Sequence, residues 1–157
     1  MSLRLEDLSA GQQFVSAGRT VTEADVVAFA GLSGDFNPLH VDETWVTEHT
    51  SYRGRIAHGL LVLAISSGLR TPELEELEVL AYLEVLRSFV APVYPGDTIR
   101  AHWSVDAMRR SRSRPGAGVA RLSVEVRKHD GEVVQRGSDV YLVGAADPAA
   151  AILGEGA

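Results

Sequence analysis

The chain has 157 residues, 45% of them hydrophobic and 23% charged, which is typical of one folded domain with its own core. Its formal net charge of −6 argues against general binding to nucleic acid. It contains no cysteine, so disulfides, thiolate metal sites and cysteine nucleophiles are excluded. The N-terminal residues are acidic where a signal peptide would be basic and apolar, and no apolar stretch is long enough to cross a bilayer. We therefore predict a cytoplasmic protein without a membrane partner.

A helix is predicted to follow a short early strand at residues 13–20. Thr22 is a suitable N-cap, and acidic residues occupy the first turn that follows it. Gly34 is placed to end this helix, because glycine readily adopts the left-handed conformation found after a helix C-terminus. Four residues are expected to form its apolar face: Val26, Phe29, Ala30 and Leu32.

Two further helical segments are predicted before residue 78. Pro38 is expected to discourage helix, and Asp42 is placed to cap a second short helix. Residues 56–69 are apolar nearly all the way round, which indicates a helix that is buried on most sides. Thr71-Pro72 is expected to stop it.

The second half of the chain has the pattern of β-strands. Apolar and polar residues alternate with period two in its two middle segments, and Asp130-Gly131 predicts a tight turn before the last strand. One strand, several helices and about four antiparallel strands together predict an α+β fold in which a sheet curls around one helix. We assign residues 1–144 to a single domain and residues 145–157 to a flexible tail. The strand candidates span residues 78–90, 98–105, 120–127 and 133–143.

Residues 33–40, SGDFNPLH, place Asp35 and His40 five residues apart between two predicted helices. Turn-forming residues are common at helix ends, so the segment has a purely structural interpretation. The functional interpretation is an acid/base pair on irregular backbone, with apolar neighbours that shift the pKa values of both groups toward neutrality. Gly59, at the start of the apolar helix, adds a backbone N–H for a developing oxyanion. An acid, a base and an oxyanion donor suit proton transfer next to a carbonyl.

The motif F-x-x-L-S-G-D-x-N-P-L-H at residues 29–40 resembles the hydratase-2 motif of MaoC-like (R)-specific enoyl-CoA hydratases, a family of the hotdog superfamily. The similarity continues at residues 57–60, 89–98 and 111–115, and so covers most of residues 21–143. The resemblance implies a hotdog fold, in which an antiparallel β-sheet wraps around a long central α-helix. It also implies a homodimer with the acyl chain in a tunnel between the subunits.

The same resemblance implies an activity and its catalytic residues. Asp35 and His40 would together activate water and add it across the 2,3 double bond of a trans-2-enoyl thioester, giving the (3R)-hydroxyacyl product. The reverse reaction is dehydration of a 3-hydroxyacyl thioester. No cofactor beyond the coenzyme A or acyl-carrier-protein thioester itself is implied. Which of the two side chains delivers the proton to the α carbon is left open by the sequence.

Supporting roles are expected for three further residues. The Gly59 N–H would bind the thioester oxygen and stabilise the enolate-like state. Asn37 would orient the aspartate or the water, or else simply shape the turn. Ser67 would lie near the pocket, or else serve as a small residue for helix packing.

Basic residues are the candidates for binding the phosphate groups of coenzyme A. Arg112 and Arg114 belong to the basic run at residues 109–114, which is otherwise explained as a solvated loop, and Arg53 and Arg55 lie nearer the motif. No metal is expected, because the histidines on predicted strands have no carboxylate at ligand spacing.

Two other functions fit the same fold. A hotdog thioesterase would use a carboxylate and water at the same thioester and release free thiol. A non-catalytic subunit would bind acyl thioesters without turnover. The sequence favours hydration, because both Asp35 and His40 are present in the family spacing. Chain length and branching of the acyl group depend on the shape of the tunnel, which these patterns do not give.

Overall fold

The computed structural model describes residues 2–146 and contains one antiparallel β-sheet, five α-helices and a short 3-10 helix (Leu5–Asp7) in that range. The strands are β1 (Gln13–Val15), β2 (Arg19–Thr20), β3 (Val79–Phe89), β4 (Thr98–Arg110), β5 (Ala117–Lys128) and β6 (Val133–Gly144). The helices are α1 (Glu23–Ser33), α2 (Pro38–Val41), α3 (Glu43–His49), α4 (Gly59–Gly68) and α5 (Pro72–Glu76). The order across the sheet is β1-β4-β5-β6-β3, with β2 also paired to β4. The predicted α+β class is confirmed.

The four long strands lie close to their predicted positions, whereas the early strand differs. Residues 13–20 form two short strands, because the Ser16 hydroxyl accepts a hydrogen bond from the Ala101 N–H and so replaces a backbone partner there. β4 also continues to Arg110, so the first two arginines of the basic run belong to a strand and only residues 111–116 form the connecting turn. Arg110 itself pairs with Glu6.

Helix α1 has the predicted ends. Thr22 accepts a hydrogen bond from the Asp25 N–H, and Gly34 has a φ of 76°. Val26 and Ala30 are buried as expected, but Leu32 is 84% exposed, so its assignment to the apolar face was wrong. Leu32 lies about 200° around the helix from Ala30, which turns it toward solvent.

Pro38 begins helix α2 and does not prevent one. Proline is tolerated at the first helical position, where its missing N–H has no intrahelical acceptor in any case. The Asn37 side chain caps this helix by accepting a hydrogen bond from the Leu39 N–H at 3.0 Å. His40 therefore lies on one turn of helix, in contrast to the irregular backbone that the sequence predicts.

Helix α4 lies on the inner face of the sheet and is shorter and less buried than predicted. Leu61, Val62 and Ile65 contact a core cluster that includes Val126 and Val134 of β5 and β6. The opposite side is open in the single chain, where Leu60 is 59% exposed. The helix ends at Gly68 because Leu69 leaves helical geometry, so the expectation that Thr71-Pro72 would stop it was wrong. Thr71 instead caps α5.

Ala145 and Ala146, which follow β6, contact the rest of the domain. Ala145 is buried and its N–H donates to the Gly116 carbonyl, so the first residue of the predicted tail is docked. Ala146 likewise contacts Glu6. The remainder of that predicted tail lies outside the described residues. Between residues 2 and 146, no helix is both long and apolar enough to span a membrane.

Candidate active site

Asp35 and His40 face each other across the loop between α1 and α2. The distance from Asp35 Oδ2 to His40 Nε2 is 3.9 Å. The aspartate side chain is 53% exposed and the histidine side chain only 11% exposed. Gly34 ends α1 and Pro38 restarts helix, and these two turns direct both side chains to one place. The two residues singled out in the sequence are therefore brought together.

The tautomer of His40 follows from its backbone partner. Nδ1 lies 2.7 Å from the Ile56 carbonyl oxygen, which can only accept a hydrogen bond, so the proton is assigned to Nδ1. Nε2 then carries a free lone pair on the side that faces Asp35. Burial lowers the pKa of His40 below its ordinary value of 6.5, and nearby His58 lowers it further, against the opposing effects of Ile56 and Asp35. His40 is thus held in the form that can accept a proton.

Asn37 fixes the turn with its side chain and the aspartate with its backbone. Its side-chain oxygen is occupied by the cap of α2, whereas its backbone N–H donates to Asp35 Oδ1 at 3.1 Å. Of the two roles expected for Asn37, shaping the turn belongs to the side chain. The backbone N–H leaves Asp35 Oδ2 as the oxygen directed at His40.

His58 supports the pair from beneath. It is 2% exposed, and its ring stacks on His40 with centroids 3.7 Å apart. Nε2 lies 2.9 Å from the Asp35 carbonyl oxygen and must donate to it. His58 therefore holds both the backbone of Asp35 and the ring of His40.

Gly59 is the first residue of α4 and lines a pocket of about 230 Å³, which also includes Ile56, the backbone partner of His40, but neither Asp35 nor His40 itself. The first four N–H groups of a helix have no acceptor within it, and the helix dipole is positive at this end. A Cβ at Gly59 would lie 3.0–3.1 Å from the ring atoms of Phe89, so this position fits only a glycine without a shift of that ring. The helix start is thus held against β3.

Comparisons with known proteins identify the family of this chain. The family model described as MaoC like domain matches residues 7–128. The chain belongs to the MaoC-like domain family. An (R)-specific enoyl-CoA hydratase from Rhodospirillum rubrum is 37% identical over 103 residues, which cover 66% of this chain and 69% of that protein.

Solved structures show the same fold for this MaoC-like domain. One described as a monoamine oxidase regulatory protein from Archaeoglobus has a TM-score of 0.84 at 30% identity, covering 92% of this chain and 96% of that one. A Mycobacterium tuberculosis protein with a double hotdog fold has a TM-score of 0.77 at 22% identity, covering 92% of this chain and 45% of that one. The hotdog fold expected from the sequence is confirmed.

Two other predicted site residues of the MaoC-like domain, Ser67 and Arg55, make contacts that do not involve Asp35 or His40. Ser67 is on α4 about 12 Å along the helix from Gly59, and its hydroxyl donates to the Ala64 carbonyl. Arg55 bridges Glu23 and Glu43, so its guanidinium is already neutralised. This arrangement gives Arg55 a structural role between α1 and α3.

The remaining candidate arginines occupy two different ends of the sheet. Arg53 is 69% exposed and lies over the Tyr94 ring, near the mouth of the Gly59 pocket formed by Tyr52 and residues 91–93. Arg112 and Arg114 lie in the turn between β4 and β5. That turn is separated from Gln135, which lines the pocket, by most of the length of β5, about 30 Å. One chain alone does not bring Arg112 and Arg114 to its own pocket.

Gln135 is the pocket residue that sequence patterns missed. It is 2% exposed on β6 and donates from Nε2 to the Gly59 carbonyl at 2.7 Å. Its side chain faces inward where the register between β5 and β6 shifts, next to Val126 and Arg127. Nothing in the local sequence marks that shift.

Three side chains of metal-binding type meet at the site. Asp35, His40 and His58 each offer one ligand atom within 4.8 Å of the others. One nitrogen of each histidine is already hydrogen-bonded to a backbone carbonyl, which leaves one nitrogen per ring. The expectation that this family member works without a metal remains a prediction, and dialysis against a chelator tests it.

The lowered pKa of His40 makes a prediction about pH. If unprotonated His40 is required, kcat/KM will stay high as the pH falls through 6.5 and decline only below it. The free energy of unfolding should also fall as the pH falls, because the unfolded chain takes up this proton at a higher pH than the folded chain does. A pH profile of kcat/KM for an enoyl thioester checks this. An acidic limb centred above pH 6.5 would contradict it.

Proposed function

We propose that this MaoC-like domain is an (R)-specific enoyl-CoA hydratase that reversibly hydrates trans-2-enoyl thioesters. The observation that carries the proposal is the free Nε2 lone pair of His40, which faces the carboxylate of Asp35 at 3.9 Å. The (R)-specific hydratase from Rhodospirillum rubrum supports the same assignment by its similarity.

The geometry of the pair suits the activation of one water molecule. With 3.9 Å between Oδ2 and Nε2, a water oxygen placed about 2.8 Å from both atoms has an angle of about 90° between them. That angle is compatible with a water that interacts with both groups at once. The water donates one O–H to each acceptor, and its lone pairs stay free for attack on the substrate.

The reaction then balances without any further reactant. The pair takes one proton from water while the oxygen bonds to C3, and the π electrons move through C2 toward the thioester oxygen. The N–H of Gly59 stabilises that oxygen at the start of α4. C2 receives one proton from the pair, so Asp35 and His40 return to their initial state.

The direct test is an assay of the purified protein with trans-2-enoyl-CoA substrates of increasing chain length. We expect loss of the enoyl thioester absorbance and formation of the (3R)-hydroxyacyl product. Release of free thiol without hydration would assign a thioesterase instead. Tight binding without any product at all chain lengths would assign a non-catalytic subunit.

We propose further that the protein is a homodimer formed through β3. This strand is 11 residues long and lies at the edge of the sheet, where a second strand can pair with it. An exposed apolar edge of this length is a site for another chain. Its exposed apolar residues are Leu80, Tyr82, Leu83, Val85, Leu86 and Phe89.

Antiparallel pairing of two β3 strands would also explain the distant arginines. The start of β3 lies at the same end of the sheet as the turn that carries Arg112 and Arg114, and Phe89 lies at the pocket end. A twofold axis across β3 therefore carries the turn of one copy toward the pocket of the other. We propose that Arg53 and the partner subunit's Arg112 and Arg114 meet the phosphates of coenzyme A.

Charge on the β3 edge should separate the subunits. We expect the wild-type protein to sediment as a dimer of twice the 16.9 kDa chain, and Leu83→Glu/Leu86→Glu to shift it toward monomer because each chain would bring two carboxylates to the interface. Analytical ultracentrifugation measures this. Leu32→Glu is the matched control, since Leu32 is exposed on α1. A monomeric wild type, or a variant that stays fully dimeric, would contradict the β3 interface.

A further inference from the structure

Gln135 carries a hydrogen-bond acceptor that the folded chain leaves unused. Its side chain is 2% exposed, and its Oε1 is buried without a hydrogen-bond partner among the described residues. The Nε2 group is occupied, because it donates to the Gly59 carbonyl at 2.7 Å. Buried side-chain acceptors are normally satisfied, so an unpaired one beside a candidate active site requires an explanation.

The orientation of the Gln135 amide is fixed by that contact. A backbone carbonyl can only accept, so the nitrogen must face Gly59 and the oxygen must face away from it. A reversed amide would place two acceptors together and lose the bond to Gly59. The unpaired atom is therefore an acceptor, and its partner must be a donor.

The surroundings of Gln135 offer few donors from the protein itself. It lines the pocket beside Gly59, whose other walls are largely apolar. The one other polar side chain that lines this pocket among the described residues is Tyr52. The missing donor is thus expected from a molecule that enters the pocket. The apolar lining residues include Ile56, Val62, Phe89, Ala91, Val93 and Val134.

We propose that Gln135 Oε1 accepts a hydrogen bond from the first amide N–H of the pantetheine arm of the thioester substrate. This inference rests on the proposed function. An enoyl chain and its thioester carry no donor, whereas the pantetheine arm places an amide N–H three bonds from the sulfur. That position matches an acceptor whose own amide is bonded to Gly59, the residue expected to hold the thioester oxygen.

The consequence is a positioning role for Gln135. Its Nε2 group bonds to Gly59, the residue expected to bind the thioester oxygen, and its Oε1 would bond to the pantetheine arm that carries the sulfur. The same side chain then sets the distance between the thioester carbonyl and the N–H of Gly59. This contact would place the pantetheine arm in the pocket, so the acyl chain would lie outside it.

The test compares crotonyl-CoA with an analogue in which a methylene group replaces the amide N–H nearest the sulfur. Loss of the donor leaves Oε1 unpaired, so the wild-type protein should show roughly a 5- to 100-fold lower kcat/KM with the analogue. Gln135→Met lacks the acceptor and should hydrate both substrates with nearly equal kcat/KM. A purely structural role for Gln135 would lower activity on both and keep the ratio.

Matched variants separate this role from general damage. Gln13→Met, at an exposed residue of β1, and Tyr52→Phe, at the other polar side chain of the pocket, should both keep the wild-type ratio. Gln135→Leu repeats the measurement if Gln135→Met fails to fold. Equal wild-type rates with both substrates would overturn the inference, as would a ratio that survives in the Gln135 variants or disappears in Tyr52→Phe. Failure to hydrate crotonyl-CoA or longer enoyl-CoA at all would instead overturn the proposed function.

Discussion

Hydration of a trans-2-enoyl-CoA is expected to fall by about 10²–10⁴-fold in kcat when His40 is replaced by glutamine, because the variant cannot accept a proton. Glutamine keeps a polar group that can donate to the Ile56 carbonyl, which limits the effect on the fold. His49→Gln is the matched control, since His49 is exposed on α3 and contacts only Trp45, through the Trp45 carbonyl oxygen and ring stacking. Steady-state kinetics with unchanged thermal unfolding would establish the effect as chemical.

Asp35→Asn should cause a loss of the same order. Asparagine still accepts from the Asn37 N–H, so the turn is retained while the charge is removed. Asp106→Asn, on β4, is the control for loss of one exposed carboxylate. The double variant should be little worse than either single one, because the two groups act on one water molecule. Activity near the wild-type value in either single variant would contradict the assignment.

The candidate pair was predictable from sequence because its geometry is set locally. Thr22, Gly34 and Pro38 define where helices begin and end, and each acts through the backbone within a few residues. Asp35 and His40 fall between those signals, so their proximity follows from short-range rules. Pro38 starts a helix where the sequence predicted none. His40 therefore lies on helical backbone, but its side chain still faces Asp35.

Features that depend on strand register were not predictable in the same way. Gln135 faces inward because the pairing of β5 with β6 is irregular next to it. The pairing of β3 with β6 contains two further shifts in register. A shift of one residue moves a side chain to the other face of a sheet. The open side of α4 has a different cause, because a pattern of apolar residues does not show whether this chain or a second copy covers them.

The ion pair between Arg87 on β3 and Asp139 on β6 also depends on the register of these two strands. Arg87 Nη2 lies 2.7 Å from Asp139 Oδ1, and the two side chains are 2% and 1% exposed. Tyr82 O–H and Trp103 Nε1–H also donate to the aspartate, at 2.6 and 3.3 Å. Burial, together with the hydrogen bond to this aspartate, raises the pKa of Tyr82, so its hydroxyl remains a donor. The carboxylate is therefore enclosed by one cation and neutral donors.

Arg87→Met should lower the free energy of unfolding by about 3–5 kcal/mol, because it leaves the carboxylate of Asp139 buried without a counter-charge. Arg121→Met is the matched control and should change it by less than about 1 kcal/mol, since the Arg121–Glu84 pair is largely exposed. Urea unfolding at neutral pH and one fixed protein concentration measures both, because association would otherwise shift the apparent stability. A small effect of Arg87→Met would show that the aspartate is solvated in solution.

The double variant Arg87→Met/Asp139→Leu distinguishes the cost of an unpaired charge from the loss of packing. If the unpaired charge dominates, removing the aspartate as well should restore much of the stability lost in Arg87→Met, since apolar replacements of buried ion pairs are often tolerated. If the double variant is instead less stable than either single variant, the hydrogen bonds from Tyr82 and Trp103 hold β3 against β4 and β6. Because β3 is also the proposed dimer edge, that outcome would make this buried pair a determinant of the interface as well as of the core.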